Sequence, residues 1–309
     1  MSRLFNRRTL LVAVAASSLA LSSLSAFAAD SVKVGSKLDP EASLLGNIIV
    51  QVLNANGIAT ENKLQLGATK IVRTALQSGE IDIYPEYTGN GAFFHNADSD
   101  PAWKNLDAGY KKIKELDGKD KLIWLAAAPA NNTWAIAVRK DVADANKLKT
   151  IDDFAKWVNG GGKVKLAGSA EFVESPAALP AFQSTYGFKL SGDQIVVLAG
   201  GDTSVFEKAA AEGTSGVNAA VAYGTDGAIA ALGLVSLEDS KGAQIVYAPA
   251  PVIREEALAK HPEIEKLLAP VFASLDAPTL QKLNGEISVD GKDAKAVAAA
   301  YLKEKGFVK

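Results

Sequence analysis

Two rhythms of apolar and polar positions alternate along this chain. Val32 to Gly35 reads as a buried strand, and Asp39-Pro40 then supplies an N-cap and a first-turn proline for a helix. Leu45, Ile48, Ile49, Val52 and Leu53 recur at helical spacing on that helix until Gly57 ends it. The alternation continues with a strand from Leu64 to Leu66, a helix from Thr69 to Ser78 closed by Gly79, and a strand from Ile81 to Tyr84. A helix near Trp103 to Leu116 and a strand near Leu122 to Leu125 complete a first block. Alternation of this kind predicts an α/β fold built on parallel sheet with right-handed crossovers.

Pro129-Ala130-Asn131-Asn132 breaks the rhythm before a new strand, Trp134 to Val138. A second block follows: helix Ile151 to Val158, strand Val164 to Ala167, helix Ala177 to Thr185, strand Gln194 to Leu198, helix Thr203 to Glu212 and strand Val217 to Ala222. Beyond Pro249 and Pro251 the pattern is mostly helical, around 255–260, 263–274, 278–286 and 293–305, with too little strand for an α/β domain of its own. This stretch is expected to return and cover the first block. The predicted organisation is a discontinuous first lobe, residues 29–129 and 241–309, and a continuous second lobe, residues 130–240. A cleft lies between them and can open and close about the two linking segments.

The N-terminus changes the setting. Arg3, Arg7 and Arg8, an apolar stretch from about Leu10 to Leu24, and Ala26-Phe27-Ala28 form the three parts of an export signal over residues 1–28, so the mature chain is expected to start at Ala29. A spanning helix needs about 20 apolar residues, and this stretch is shorter and rich in serine. With no cysteine in the sequence, disulfides, thiolate catalysis, Cys-based zinc sites and a lipid-modified N-terminal Cys are excluded. Export without such an anchor points to the periplasm. Removing the three signal arginines makes the formal charge of -2 more negative, and no Lys/Arg-rich block remains, which argues against nucleic acid as a partner.

Aromatic residues make up 7% of the sequence, yet Tyr87, Trp134, Tyr223 and Tyr247 each stand beside Pro, Gly or Asn, or at a block boundary, near the end of an apolar run. Strand ends facing a cleft are where α/β folds hold ligands. Taken singly, Tyr87 also reads as a core-capping tyrosine at a turn, and Trp134 as a buried structural tryptophan. Together, the four read as an aromatic box for an organic cation that cannot donate hydrogen bonds, above all a quaternary ammonium. Lys37, directly after the first strand, suits a ligand carboxylate but also reads as a solvated lysine.

Other chemistry is poorly supported. His95 and His261 lie in unrelated contexts, which argues against a His metal site or a catalytic triad. Gly160-Gly161-Gly162 lacks the Lys-Ser/Thr of a phosphate loop. Glu171 and Glu174 have no acid, base or nucleophile beside them, and there is no Gly-x-Ser-x-Gly elbow. No catalytic residue, cofactor or metal is expected, and an enzyme is a distant reading. An amino-acid or polyamine receptor is a nearer alternative.

Five segments, Val34-Gly35-Ser36-Lys37, Ile83-Tyr84-Pro85-Glu86-Tyr87-Thr88-Gly89, Asn131-Asn132-Thr133-Trp134, Tyr223-Gly224-Thr225-Asp226-Gly227 and Ala248-Pro249-Ala250-Pro251-Val252, occur in that order over nearly the whole mature chain. The sequence thereby resembles the glycine betaine/choline (osmoprotectant) substrate-binding proteins of ABC transporters, in particular their periplasmic YehZ/OsmF-type branch. The resemblance implies a two-lobed type II periplasmic-binding-protein fold and a monomeric receptor that delivers its ligand to an inner-membrane permease. It also implies a cage of Tyr87, Trp134, Tyr223 and Tyr247 around the trimethylammonium, with Lys37 and Asn90 toward the ligand carboxylate and Asn132 bordering the cage. Where relatives carry an arginine that clamps the carboxylate, this chain has Ser175, which leaves choline open beside glycine betaine.

Overall fold

A computed structural model describes residues 31–199 and 203–309, so the expected export signal at 1–28 lies outside the described residues. Within them the strands are β1 (Val32–Lys37), β2 (Thr60–Gly67), β3 (Ile83–Tyr87), β4 (Leu122–Trp124), β5 (Trp134–Arg139), β6 (Leu166–Gly168), β7 (Ile195–Val197), β8 (Ala219–Tyr223), β9 (Leu234–Ser236) and β10 (Pro249–Arg254). They form two five-stranded sheets, β2-β1-β3-β10-β4 and β7-β6-β8-β5-β9. The chain leaves the first sheet after β4, builds the second from β5 to β9, and returns to the first as β10. The molecule is therefore two-lobed, with two connecting segments between the lobes.

The sheets are mixed, where the sequence pattern predicts parallel ones. β1 pairs in parallel with β2 and β3, and β6 with β7 and β8. The two strands that begin a lobe after a crossing run the other way: β10 is antiparallel to β3 and β4, and β5 to β8 and β9. A strand arriving from the other lobe enters at the cleft end of the sheet, where the strands paired with it through local crossovers leave. Its direction is set by that entrance.

β10 is also more central than its sequence suggests, since it carries Pro249 and Pro251 and prolines usually sit at sheet edges. The register resolves this. Pro251 lies opposite Pro85 of β3, and an antiparallel pair of residues either exchanges two N–H···O bonds or none. Two prolines facing each other occupy a pair that needs none, so neither missing N–H leaves an acceptor unpaired. On its other side the Pro251 carbonyl accepts from Leu125 N at 2.9 Å, and the Pro249 carbonyl from Ala128 N at 2.8 Å. By the same pairing, β3 runs through Pro85 to Tyr87 and does not stop at Tyr84. β2 begins at Thr60, earlier than its apolar residues imply, because an exposed edge strand needs no apolar face.

Each lobe has its own core. In the first, neighbours on one strand fall in different clusters: Ile83 packs with Leu45, Ile48, Ile49, Leu268 and Phe272, while Tyr84 packs with Trp103, Ile113 and Trp124. Successive side chains on a strand point to opposite faces, so both faces of this sheet are covered. The C-terminal helices Glu263–Ala273, Ala277–Ser288 and Ala294–Glu304 supply much of one cover. The second lobe encloses Ile136, Phe154, Phe172, Phe182 and Phe206. Burying each such side chain contributes about 1.5–3 kcal/mol.

A charged knot sits in the first lobe. Arg73 donates both terminal nitrogens to Asp117 at 2.7 Å each, and Trp124 Nε1 and His95 Nε2 lie 2.6 and 2.8 Å from the same carboxylate.

Candidate functional site

The site forms where the ends of β1, β3 and β8 meet the two connecting segments. Tyr87 closes β3 and is 6% exposed. Its hydroxyl donates to Glu41 Oε1 at 2.8 Å. Glu41 stands in the first turn of helix Pro40–Ala55, which Asp39 caps by accepting from Ala42 N at 2.8 Å. The same Glu41 oxygen accepts from Asn132 Nδ2 at 3.1 Å, and Oε2 accepts from Asn284 Nδ2 at 2.6 Å. One carboxylate thus gathers side chains from the first helix, β3, the outgoing connection and a C-terminal helix.

Burial pushes the Glu41 carboxyl above its ordinary range, the hydrogen bonds from Thr225, Tyr87 and Asn284 offset only part of this, and nearby Asp39 adds to it. Burial, and then the Glu41 charge, push the Tyr87 phenol well up as well.

Tyr223 ends β8 opposite Trp134 of β5, with ring centroids 6.4 Å apart. Its backbone N–H donates to Asp226 Oδ2 at 2.7 Å, which turns the chain sharply into helix Gly227–Ala231. Tyr247 lies on the returning connection and is tied to the outgoing one: its N–H donates to Asn131 Oδ1 at 2.8 Å, and its carbonyl accepts from Asn132 N at 3.0 Å. Gly89 is required beneath it, because a Cβ there would stand 2.7 Å from Tyr247 Cδ1.

Tyr87, Tyr223, Tyr247, Asn90 and Asn132 line one cavity of about 320 Å³. Its remaining wall includes Asp39, Glu41, Thr225, Asp226, Asn284 and Ser288. Among the described residues, the ionisable side chains on this wall other than tyrosine are carboxylates, and neither lysine nor arginine lines it.

Two expected residues stand elsewhere. Lys37 is buried beside Tyr87, with its ammonium 4.6 Å from that ring's centroid and 2.5 Å from Glu86 Oε1. Glu86 is fully buried and needs a counter-charge; it also accepts from Tyr84, from Tyr87 N and from Asn90 Nδ2. That demand draws Lys37 inward, away from the cavity surface. Trp134 packs on Phe172 at 5.2 Å and borders an adjoining cavity with Phe182 and Leu234. It backs Tyr223 and does not face the first cavity. Ser175 ends the short helix Ala170–Glu174 and is likewise not on the cavity wall.

Sequence reasoning missed Glu41 and Asn284. Glu41 had a readable signal, a carboxylate one residue past the helix-starting proline at the end of β1. Asn284 had none, since it lies in a helix far along the chain.

Helix Ala277–Ser288, though part of the cover of the first lobe, also grips the second. Gln281 Nε2 donates to the Gly224 carbonyl at 2.8 Å and Asn284 Nδ2 to the Thr225 carbonyl at 2.9 Å. Gly227 lies so close that a Cβ on it would be 2.2 Å from Gly285 N. The loop that carries Tyr223 is therefore held by the opposite lobe. Among the described residues, no group of three or more His, Asp or Glu is arranged to hold a metal ion.

Residues 30–304 match the family described as the substrate binding domain of ABC-type glycine betaine transport systems. The glycine betaine-binding protein YehZ of Escherichia coli K12 is 61% identical over 94% of this chain and 96% of its own. A glycine-betaine-binding protein of Pseudomonas aeruginosa PAO1 is 29% identical over 89% of this chain and 88% of its own. The solved structure of apo YehZ from E. coli superposes with a TM-score of 0.88, covering 90% of this chain and 99% of that one.

Proposed function

The chain belongs to the family of substrate-binding domains of ABC-type glycine betaine transport systems, and from that premise we propose that it captures a quaternary ammonium osmolyte, glycine betaine first, between its lobes. The captured solute is handed to an inner-membrane ABC permease. The receptor works in the periplasm as a non-catalytic monomer, exported by the signal at residues 1–28.

The observation that carries this reading is the meeting of three tyrosines from separate segments around one acidic cavity. A methylated ammonium has no N–H to offer, so it is held by π faces and by net negative charge. Each ring contributes about 0.5–2 kcal/mol once water is excluded. Tyr87, Tyr223 and Tyr247 are assigned to the trimethylammonium and Trp134 to support of Tyr223. Asn90 and Asn132 orient the far end of the ligand, and Lys37 neutralises Glu86.

A second ligand within the same class is favoured by the wall chemistry. Asp39, Glu41 and Asp226 line the cavity, and among the described residues no lysine or arginine does, an arrangement that suits a hydroxyl-bearing cation such as choline as well as a zwitterion. Calorimetric titration with glycine betaine, choline, carnitine and proline betaine tests the class and orders its members. Tyr223→Ala is expected to weaken binding of all that bind by about 2- to 30-fold. Binding of amino acids with no response to any quaternary ammonium would overturn the reading.

A further inference from the structure

We propose that Glu41 is the ionising residue of this cavity, a positioning carboxylate that releases its proton when the cationic ligand enters and then holds both the cage and its charge balance. The proposal rests on reading the cavity as a quaternary ammonium site. It also stands on geometry of its own. Glu41 is 4% exposed and lies on the cavity wall. Tyr87, Asn132 and Asn284 all donate to it.

Asn284 extends this network across the cleft by donating to the Thr225 carbonyl. Its own Oδ1 is buried and without a hydrogen-bond partner. An unused acceptor beside a buried carboxyl makes this corner of the cavity strongly electronegative, and such a corner is stable only when a proton or a cation neutralises it.

The other charged and titratable groups around Glu41 are few. Asp39 caps the helix that carries it, Asp226 lines the same cavity from the second lobe, and Tyr87 stands between it and the Lys37–Glu86 pair. Lys37 is engaged by Glu86, so Glu41 has no cation of its own. Burial raises the Glu41 carboxyl above its ordinary range, and Asp39 adds to the rise.

A permanent cation replaces the proton. The O–H bond of the Glu41 carboxyl breaks, the electron pair stays on the carboxylate, the proton passes to solvent buffer, and the ligand's positive charge takes its place. The ionised carboxylate is then a stronger acceptor for the Tyr87 phenol. A phenol that donates to an anion has a more electron-rich ring, which strengthens the π face offered to the ligand.

The test is calorimetry of the full receptor with glycine betaine and with choline, between pH 5 and pH 8, in pairs of buffers that differ in ionisation enthalpy. Wild type is expected to release up to one proton on binding and to lose affinity as pH falls, by at most about tenfold per pH unit. Glu41→Gln is expected to bind at least about tenfold more weakly, to release no proton and to show a flat pH profile. A side chain with only a structural role would lower affinity without changing the proton count.

Asp39→Asn and Asp226→Asn, which leave Glu41 intact, are expected to keep the release. Its loss in either one alone would transfer the role to that residue and overturn the proposal, even if Glu41→Gln fails to fold. Binding of wild type with no proton release and constant affinity would overturn the Glu41 assignment alone. No binding of either ligand would overturn the ligand-class reading and this proposal with it.

Discussion

Gly227→Ala tests whether the grip of helix Ala277–Ser288 on the Tyr223 loop shapes the site. The added Cβ would lie 2.2 Å from Gly285 N and 2.5 Å from both Asn284 C and Gly285 Cα. These are backbone atoms of the opposing helix, which cannot swing aside as a flexible side chain can. Ordinary contact is about 3.5–4.0 Å, so the two helices must separate by more than about 1 Å. Overpacking of this kind costs about 1–3 kcal/mol. The separation also stretches the Gln281 bond to Gly224 O and the Asn284 bond to Thr225 O, each worth about 0.5–1.5 kcal/mol. A total of roughly 2–6 kcal/mol corresponds to a fall in Tm of about 4–24 °C.

Because Asn284 also donates to Glu41, ligand affinity should fall together with Tm. Gly118→Ala is the control: a Cβ there meets nothing within 4 Å, and the position lies in a helix, so stability should hold or rise by up to about 1 kcal/mol. Thermal denaturation and calorimetry of both variants decide the matter. A Gly227→Ala receptor with wild-type Tm and wild-type affinity would refute the argument that this contact sets the cavity.

Further outcomes follow from the same geometry. Lys37→Met strands Glu86 in the core and is expected to cost about 3–5 kcal/mol in denaturant unfolding, while weakening betaine and choline alike; a selective loss of betaine would return Lys37 to the ligand carboxylate. Asp117→Asn leaves Arg73 without its counter-ion and should cost a similar amount at neutral pH. Burial alone would raise the Asp117 carboxyl, but Arg73, Trp124 and His95 outweigh it and hold it below its usual range. Its stabilisation is therefore present above about pH 3.9 and is lost as pH falls through the lower folded value, so the stability gap between variant and wild type should narrow only in strong acid. Gly89→Ala should push the Tyr247 ring and Ile245 out of place, since a Cβ there would stand 2.7 and 2.8 Å from them, weakening ligand binding and costing about 1–3 kcal/mol of stability, measured by calorimetry beside a denaturant titration.

The strand and helix rhythm exposed most of the architecture because each lobe is built from local crossovers whose periodicity is written in consecutive residues. Strand direction at the crossings was not legible, since β5 and β10 owe their orientation to where the chain enters a sheet and not to their own residues. Tyr87, Tyr223 and Tyr247, which share the cavity, could be singled out in the sequence because Pro85, Gly89 and Gly224 mark turns nearby. The carboxylate and amide that tie them together, Glu41 and Asn284, were not singled out, because they meet from positions far apart in the chain. Lys37 and Trp134 stand off the first cavity for one physical reason: a strand end can aim a side chain at the cleft or into the lobe. A buried Glu86 decided the first case and Phe172 the second.

The central claim is that π faces from separate segments enclose one methylated nitrogen, and a crystal structure of the receptor with glycine betaine or choline tests it most directly. The account predicts the nitrogen within about 6 Å of the ring centroids of Tyr87, Tyr223 and Tyr247, with Glu41 on the same side. A ligand seated instead in the adjoining cavity beside Trp134 and Phe182, with the three tyrosine faces unoccupied, would contradict it.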